Sequence, residues 1–142
     1  MKNIAIVYWS GTGNTEAMAN ALRTAVTEAG AEAALIPAEA FAADQVAAFD
    51  ALAFGCPAMG AENLEEDVFE PMFASVESAL AGKKVFLFGS YGCGDGQWMR
   101  DWEDRCRADG ADLAAESVIC TDAPQEDTLA SLRSAGAALV ES

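Results

Sequence analysis

Six consecutive small or polar residues, Ser10-Gly11-Thr12-Gly13-Asn14-Thr15, follow the first apolar run of the chain. The two glycines allow the backbone to fold closely around an anion without Cβ clashes. Amides at the start of the next helix, with nearby hydroxyl and carboxamide donors, can bind that anion. Since the segment holds no lysine or arginine, neutral dipoles would bind the anion. The alternative is an ordinary turn with an N-capping Ser or Thr, but capping needs fewer such residues.

The spacing of this segment limits the kind of anion. A P-loop requires Gly-Lys followed by Ser or Thr, and a dinucleotide fingerprint requires G-x-G-x-x-G. Neither motif is present, and Ala17 and Met18 follow the segment instead. A terminal monophosphate therefore fits better than a nucleoside triphosphate.

Two later loops carry further candidate binding residues. Residues 56–64 include Met59, whose soft thioether packs well on a flat aromatic face. Gly60 permits a positive φ, as the first central position of a type II′ turn requires. Residues 89–100 begin with four glycines in eight positions, which indicates a backbone close to a flat ligand. Taken singly, Met59 is better explained as a core residue and Glu62 as a surface carboxylate, but their position between a strand end and a helix favours a binding role.

Together these segments resemble the cofactor loops of one known family. Residues 8–19 are similar to the FMN-phosphate loop of the short-chain flavodoxins of anaerobic bacteria. Residues 55–60 and 89–92 look like the two loops that flank the flavin in that family. The similarity runs from end to end, and the order and spacing of the three segments are intact.

The resemblance implies an electron carrier and not an enzyme. The chain would hold one non-covalent FMN and cycle through a neutral semiquinone. Because Glu62, Asp95 and the acidic field of the chain oppose a further negative charge, the second electron is expected to enter at low potential. The Gly60-Ala61 peptide would turn its carbonyl toward flavin N5, and Glu62 would accept the N3 hydrogen. No catalytic residue or metal ligand is implied, and the cofactor-binding residues would be Ser10, Gly11, Thr12, Gly13, Asn14, Thr15, Ala58, Met59, Gly60, Ala61, Glu62, Ser90, Tyr91, Gly92, Cys93, Gly94, Asp95 and Trp98.

Position 93 departs from the family pattern. Similar flavodoxins carry a tryptophan stacked on the outer flavin face, and this chain has Cys93. Losing an indole removes stacking area, so we expect weaker FMN binding. Trp98 either covers the ring instead or packs into the body, and the second is favoured because long helical side chains usually point inward. A redox-active Cys93 is disfavoured because no basic neighbour would lower its pKa.

The elements that must position these loops alternate along the chain. Near-continuous apolar runs predict strands buried on both faces of a parallel sheet. The pattern predicts an α/β fold, a doubly wound five-stranded parallel sheet with helices on both faces. Ligands bind beyond the carboxyl ends of such strands, and the flavodoxin-like order 2-1-3-4-5 is implied by the resemblance. The predicted strands are Ile4–Tyr8, Glu32–Ile36, Leu52–Gly55, Lys84–Phe88 and Leu113–Ile119.

Helical patterns fill the gaps between these runs. In the first, an apolar stripe is formed by Ala17, Ala21, Ala25, Met18, Leu22 and Val26. Gly30 is expected to end this helix, and Pro71 must lie in the first turn of the second helix or kink it. No repeat or linker divides the sequence, so a single domain over residues 1–142 is expected. The predicted helices are Asn14–Ala29, Asp67–Leu80, Gln97–Asp109 and Gln125–Val140, with at most a short helix at Asp44–Ala48.

Composition excludes several classes of function. The chain has no histidine, which disfavours a metalloenzyme or a hydrolase with a His-containing triad. Its four cysteines form no C-x-x-C pair and are expected to be reduced thiols. No apolar stretch approaches the roughly 20 residues of a membrane helix. The first residues lack the features of a secretory signal, so a cytoplasmic protein is expected.

Acidic residues outnumber basic residues 23 to 8, for a formal net charge of −15. Such a field repels nucleic acid and anionic membranes and attracts basic partners. Solubility alone would also explain it, and the charge does not decide between the two. The resemblance implies ferredoxin-type oxidoreductases as redox partners, met by transient electrostatic docking of a monomer.

Three other functions fit the sequence less well. A small FMN-dependent reductase needs a substrate pocket and usually a nicotinamide site, for which the short connections leave little material. An interaction module without redox activity would not take up FMN. A signalling receiver domain needs a phosphorylatable Asp after strand three, where the chain has Gly55-Cys56-Pro57.

Overall fold

The computed structural model describes residues 2–60, 62–92 and 94–141. Its strands all pair in parallel within one sheet, and its helices connect them. The strands are Asn3–Tyr8 (β1), Glu32–Pro37 (β2), Ala51–Gly55 (β3), Lys84–Tyr91 (β4), Asp112–Leu113 (β5) and Val118–Thr121 (β6). The α-helices are Asn14–Glu28 (α1), Phe69–Val76 (α2), Gln97–Ala108 (α3) and Glu126–Glu141 (α4), with 3₁₀ turns at Ala38–Ala40, Ala43–Ala48 and Glu77–Ala79.

The strand order is β2-β1-β3-β4-β5, with β6 also paired to β4. The predicted order 2-1-3-4-5 is therefore confirmed, but the predicted single strand Leu113–Ile119 is wrong. It is divided into β5, beside the start of β4, and β6, beside the end of β4. The intervening Ala-Ala-Glu-Ser is poor in β-branched and aromatic residues, and the Ser117 hydroxyl donates to Glu103 at 2.7 Å.

Helix ends differ from the predicted ones mainly at α2. The Glu65 carboxylate accepts hydrogen bonds from the amides of Asp67, Val68 and Phe69 at 2.7–2.8 Å, so the α-helix begins at Phe69. Burial acts to raise the pKa of Glu65, but these three amides hold it below its usual value. Pro71 lies in the first turn, as predicted, where its missing N–H has no cost.

Helices cover both faces of the sheet, as predicted. On one face α2 and α3 pack on side chains such as Leu52 and Phe54. On the other face, α1 and α4 pack on Ile4 and Ile6 of β1. Two faces are available because successive side chains of a strand point to opposite sides of the sheet. In α1, Ala17 is exposed and lies outside the buried stripe that was predicted to include it. Gly30 has φ +96° just after α1, as expected for a glycine that ends a helix.

Candidate functional site

The loop between β1 and α1 is organised by one hydroxyl. The Ser10 Oγ atom accepts hydrogen bonds from the amides of Gly13 at 3.1 Å and Glu16 at 3.2 Å. Gly13 has φ +97° and precedes the first residue of α1. Within the described part of the chain, four amides of this loop donate to no acceptor, namely those of Gly11, Thr12, Asn14 and Thr15. The loop therefore presents free N–H donors at a helix N-terminus, as an anion site requires.

Thr15 ties this loop to the end of β4. Its side chain is 1% exposed. Its Oγ1 atom lies 3.3 Å from the Ser90 hydroxyl and accepts the Ser90 amide at 3.4 Å. The predicted donors Thr15 and Ser90 thus bond to each other and fix the relative position of two segments that are 75 residues apart.

A cavity of about 260 Å³ lies where the strands of the central sheet end. It brings together residues of all three predicted segments. Its walls include flat or polarisable side chains of Trp9, Met59 and Tyr91, and Met59 is 36% exposed. The lining residues are Trp9, Gly11, Thr12, Asn14, Pro57, Ala58, Met59, Ser90, Tyr91, Gly92 and Asp122.

Three of these lining residues were missed by the sequence analysis. Trp9 and Pro57 stand inside the predicted segments, and a position directly after a buried strand was the signal that could have found them. Asp122 comes from a fourth segment, directly after β6. Its amide donates to the Tyr91 carbonyl at 2.9 Å. The ligand edge of the sheet therefore includes the fifth strand position, which the three predicted segments do not cover.

Gly89 lets β4 approach the loop after β3. A Cβ atom at this position would lie 2.2 Å from the Cys56 carbonyl oxygen, so only glycine fits. The two loops are then joined by a hydrogen bond from the Ala58 amide to the Ser90 carbonyl at 3.1 Å.

The turn that follows Met59 differs from the expected one. The Glu62 amide donates to the Met59 carbonyl at 2.8 Å, which closes a four-residue turn. Gly60 does not have a positive φ, so the predicted type II′ turn is wrong for this structure. The positive φ is found instead at Glu62, at 53°. Ala61, a predicted cofactor-binding residue, lies outside the described residues.

Glu62 reaches across to the loop after β4. Its Oε1 atom accepts the Asp95 amide at 2.8 Å, and Gly94 adjoins it with φ +91°. Arg100 pairs with Asp95 at 3.2 Å, so the cation nearest this loop already has a counter-ion. Cys93, also a predicted cofactor-binding residue, lies outside the described part of the chain.

Trp98 packs into the body of the protein, as the sequence analysis favours, so the prediction that it binds the cofactor needs correction. It is 2% exposed and does not line the cavity. Its indole N–H donates to the Cys56 carbonyl at 3.3 Å, and its ring lies 5.3 Å from the ring of Tyr91. Trp98 therefore supports Tyr91 from the core side, because α3 directs it inward.

The described residues offer no alternative metal or thiol chemistry at the site. No group of three or more potential metal ligands is found among them. Cys56, Cys106 and Cys120 are buried free thiols, as predicted for the described cysteines. Burial raises the pKa of Cys56 to about 12, so this thiol stays protonated and unreactive.

A larger open groove of about 620 Å³ lies elsewhere, between residues 114–119 and α4. Glu116 and Asp127 line it together with small side chains, and none of the predicted segments reaches it. Size alone does not make it the functional site, because it lacks the flat side chains that line the smaller cavity.

Comparison with known proteins agrees with this geometry. The family model described as "Flavodoxin" matches residues 6–136. The chain belongs to the flavodoxin family. The flavodoxin of Megasphaera elsdenii is 49% identical over 116 residues, which cover 82% of this chain and 85% of that protein. The flavodoxin of Clostridium beijerinckii is 45% identical over 121 residues, 85% and 88% of the two chains.

The fold similarity to solved flavodoxins extends over the whole length. The solution structure of two-electron reduced Megasphaera elsdenii flavodoxin has a TM-score of 0.90 and 45% identity, and the match covers 98% of this chain and 99% of that one. This supports the short-chain type inferred from the loops.

No helix in the described ranges is long and apolar enough to cross a membrane.

Family membership gives the cofactor and the role. The flavodoxins bind FMN, so this chain is an FMN-binding electron carrier that works with redox partners and has no substrate of its own. The residues present fit that cofactor. Free amides at the start of α1 suit a phosphate, and the side chains of Trp9, Met59 and Tyr91 suit a flat ring system.

Proposed function

We infer that the chain carries single electrons at low potential between redox proteins, with its FMN cycling through a neutral semiquinone. The observation that carries this proposal is the cavity shared by the α1 amide loop and the Met59 and Tyr91 loops. The bound flavin supplies the electron chemistry, and the protein binds it, orients it and sets the local charge.

The phosphate end would be held by the donors of residues 10–15. The Ser10 hydroxyl accepts from the Gly13 and Glu16 amides and so fixes the loop, while the amides without an acceptor point to a ligand role. The charged residue in the first turn of α1 is Glu16, which is acidic. Affinity for a phosphate therefore comes from the dipoles of the helix start and not from a net positive charge.

The charges around the site support a low potential for the second electron. Asp122 lines the cavity, and Glu62 lies in the loop beside it. The charge of Arg100 is offset by Asp95. The formal net charge of −15 adds a long-range negative potential. Adding an anion to this environment has a Coulomb cost, so full reduction of the flavin is disfavoured.

The Gly60 peptide supports stabilisation of the half-reduced state. A Cβ atom at Gly60 would meet nothing within 4 Å, so there is open space for this peptide to change orientation. If this peptide turned toward the ring, its carbonyl oxygen would accept a hydrogen bond from a protonated ring nitrogen. Glycine keeps the conformational cost of that rotation modest.

The remaining assignments are proposals of the same kind. The partners would be ferredoxin-type oxidoreductases, docked transiently through basic surfaces against this acidic chain. The protein would act as a monomer, as one domain over residues 1–142, in the cytoplasm.

Stepwise anaerobic reduction of the FMN-loaded protein, followed by absorption spectra, tests this proposal. We expect a long-wavelength band of the neutral semiquinone to rise and then fall, with two separated midpoint potentials. A direct passage from oxidised to fully reduced flavin would contradict the proposed one-electron cycle.

A further inference from the structure

Glu62 and the Gly94-Asp95 peptide join the two loops that flank the cavity. We propose that this peptide positions the Glu62 carboxylate, and that the contact acts as a clasp between the loops. The proposal rests on the proposed function for its ligand, but the clasp itself exists within the chain. The Glu62 Oε1 atom accepts the Asp95 amide at 2.8 Å across 33 residues of sequence.

Glu62 has a backbone conformation that needs compensation. Its φ of 53° is uncommon for a residue with a side chain and carries an energetic cost. Two hydrogen bonds offset that cost: its amide donates to the Met59 carbonyl, and its carboxylate accepts the Asp95 amide. In this conformation the side chain crosses to the neighbouring loop and not into solvent.

Gly94 is required for this crossing. A Cβ atom at Gly94 would lie 1.4 Å from Oε1 of Glu62 and 2.4 Å from its Cδ atom. The φ of Gly94, +91°, is also rare for any other residue. Any side chain at position 94 would therefore displace the Glu62 carboxylate.

Asp95 is held from its other side by α3. Arg100 donates to the Asp95 carbonyl at 3.1 Å and to its Oδ1 atom at 3.2 Å, and also to Gln97 Oε1 at 2.9 Å. These groups are well exposed, so their contribution to global stability is small. They fix the Asp95 side chain and the Asp95-Gly96 peptide, directly after the Gly94-Asp95 peptide whose N–H faces Glu62.

The clasp leaves one carboxylate oxygen for a ligand. Among the described residues, the Oε2 atom of Glu62 accepts no hydrogen bond. It can therefore accept an N–H donor of a bound ring while Oε1 stays with Asp95. Fixing the rotamer in advance reduces the entropy lost on binding, which corresponds to roughly 2- to 12-fold in affinity for one side chain. Gly94 and Asp95 are thus positioning residues for Glu62.

Hydrogen exchange tests the clasp without relying on the flavin. The Asp95 amide is followed by NMR in the full chain, with and without FMN, in the wild type and in Glu62→Ala and Gly94→Ala. We expect Asp95 to exchange several-fold faster in both variants. Glu62→Ala keeps the energetic cost of the positive φ at residue 62, because alanine also has a Cβ atom. It removes only the hydrogen bond from the Asp95 amide to the carboxylate. Equal exchange in Glu62→Ala and wild type would overturn the clasp.

Gly30→Ala is the matched control. Gly30 has φ +96°, close to that of Gly94, but a Cβ there meets nothing within 4 Å. It therefore reproduces the backbone strain without displacing Glu62. The Asp95 amide should exchange at the same rate in Gly30→Ala as in the wild type. Faster exchange in Gly30→Ala would show that backbone strain elsewhere in the chain accelerates it, which would contradict the proposal.

Ligand discrimination tests the positioning role. The affinities of FMN and of FMN methylated at N3, which lacks the N–H donor, are compared for each protein. We expect the wild type and Gly30→Ala to prefer FMN, and Gly94→Ala to lose most of that preference although Glu62 is still present. Unchanged preference in Gly94→Ala would overturn the positioning role. If the wild type bound neither flavin, the proposed function would fail while the exchange data still decided the clasp.

Discussion

At the scale of single residues, Ser10 organises the loop that leads from β1 into α1. Its hydroxyl accepts two amides of the loop that begins α1. Without this acceptor, the Gly13 and Glu16 amides lose their partner and the loop loses its fixed shape. The neighbouring amides that would bind a phosphate depend on that shape.

Ser10→Ala should therefore weaken FMN binding by about 5- to 10-fold, as expected for about 1 kcal/mol from one lost set of hydrogen bonds. Riboflavin, which has no phosphate, should be bound with nearly unchanged affinity. Calorimetric titration of both ligands measures the difference. Thr24→Ala is the control, since its hydroxyl bonds within α1 far from the loop. An equal loss for riboflavin would show that Ser10 acts on the fold and not on the phosphate.

Position 93 makes a second residue-scale prediction, from sequence alone. Cys93→Trp should restore the stacking surface of related flavodoxins and tighten FMN binding by about fivefold, since an aromatic pair contributes on the order of 1 kcal/mol beyond burial. Fluorescence titration with FMN measures it. Cys93→Ser changes the thiol without adding a ring and should bind as the wild type does. Equal affinity in the tryptophan variant would contradict the stacking account.

At the scale of elements, α2 and α3 are joined by one arginine between acidic groups. Arg105 donates to Glu70 and to Glu77 at 2.6–2.9 Å. Asp109 lies at the end of α3, where a negative charge opposes the helix dipole. Burial and the nearby Glu77 raise the pKa of Asp109 to about 6, against the attraction of Arg105.

Asp109→Asn should stabilise the protein at neutral pH. Because the folded state raises the pKa of Asp109, its contribution to stability is present at low pH and is lost as the pH rises through about 6. The free energy of unfolding of Asp109→Asn should exceed that of the wild type by about 1 kcal/mol at pH 8, and by less at pH 5. Urea unfolding at both pH values measures this.

Asp104→Asn is the control on the same helix. Asp104 is 79% exposed and pairs with the exposed Arg107, so its removal should change stability little. A gain for Asp109→Asn that stays constant from pH 5 to pH 8 would contradict the role of its ionisation.

The contact between α1 and α4 makes the second element-scale prediction. A Cβ atom at Gly136 would lie 2.7 Å from the Cβ of Ala25 and 3.3 Å from its carbonyl carbon. Gly136→Ala should therefore cost about 1–3 kcal/mol of unfolding free energy, despite the better helix propensity of alanine. Ser134→Ala on the exposed face of α4 is the control. A Gly136→Ala protein as stable as the wild type would contradict such close packing.

At the scale of the whole molecule, much of the architecture could be predicted from the sequence. Apolar runs such as that of Ile4–Tyr8 identify their strands because both faces are buried. The anion loop was predictable because its glycines and hydroxyls stand together between a strand and a helix. Contacts between distant segments were not predictable in this way. The sequence does not reveal that Glu62 reaches Gly94, that Thr15 bonds to Ser90, or that Asp122 lines the cavity.

Titration of the flavin-free full chain with FMN tests the central claim most directly, namely that neutral dipoles after β1 bind the phosphate while the ring lodges beside Met59. We expect saturation at one FMN per chain, with riboflavin bound more weakly and Met59→Ala reducing the affinity for both ligands. Absence of FMN uptake, or equal affinity for FMN and riboflavin, would contradict the account.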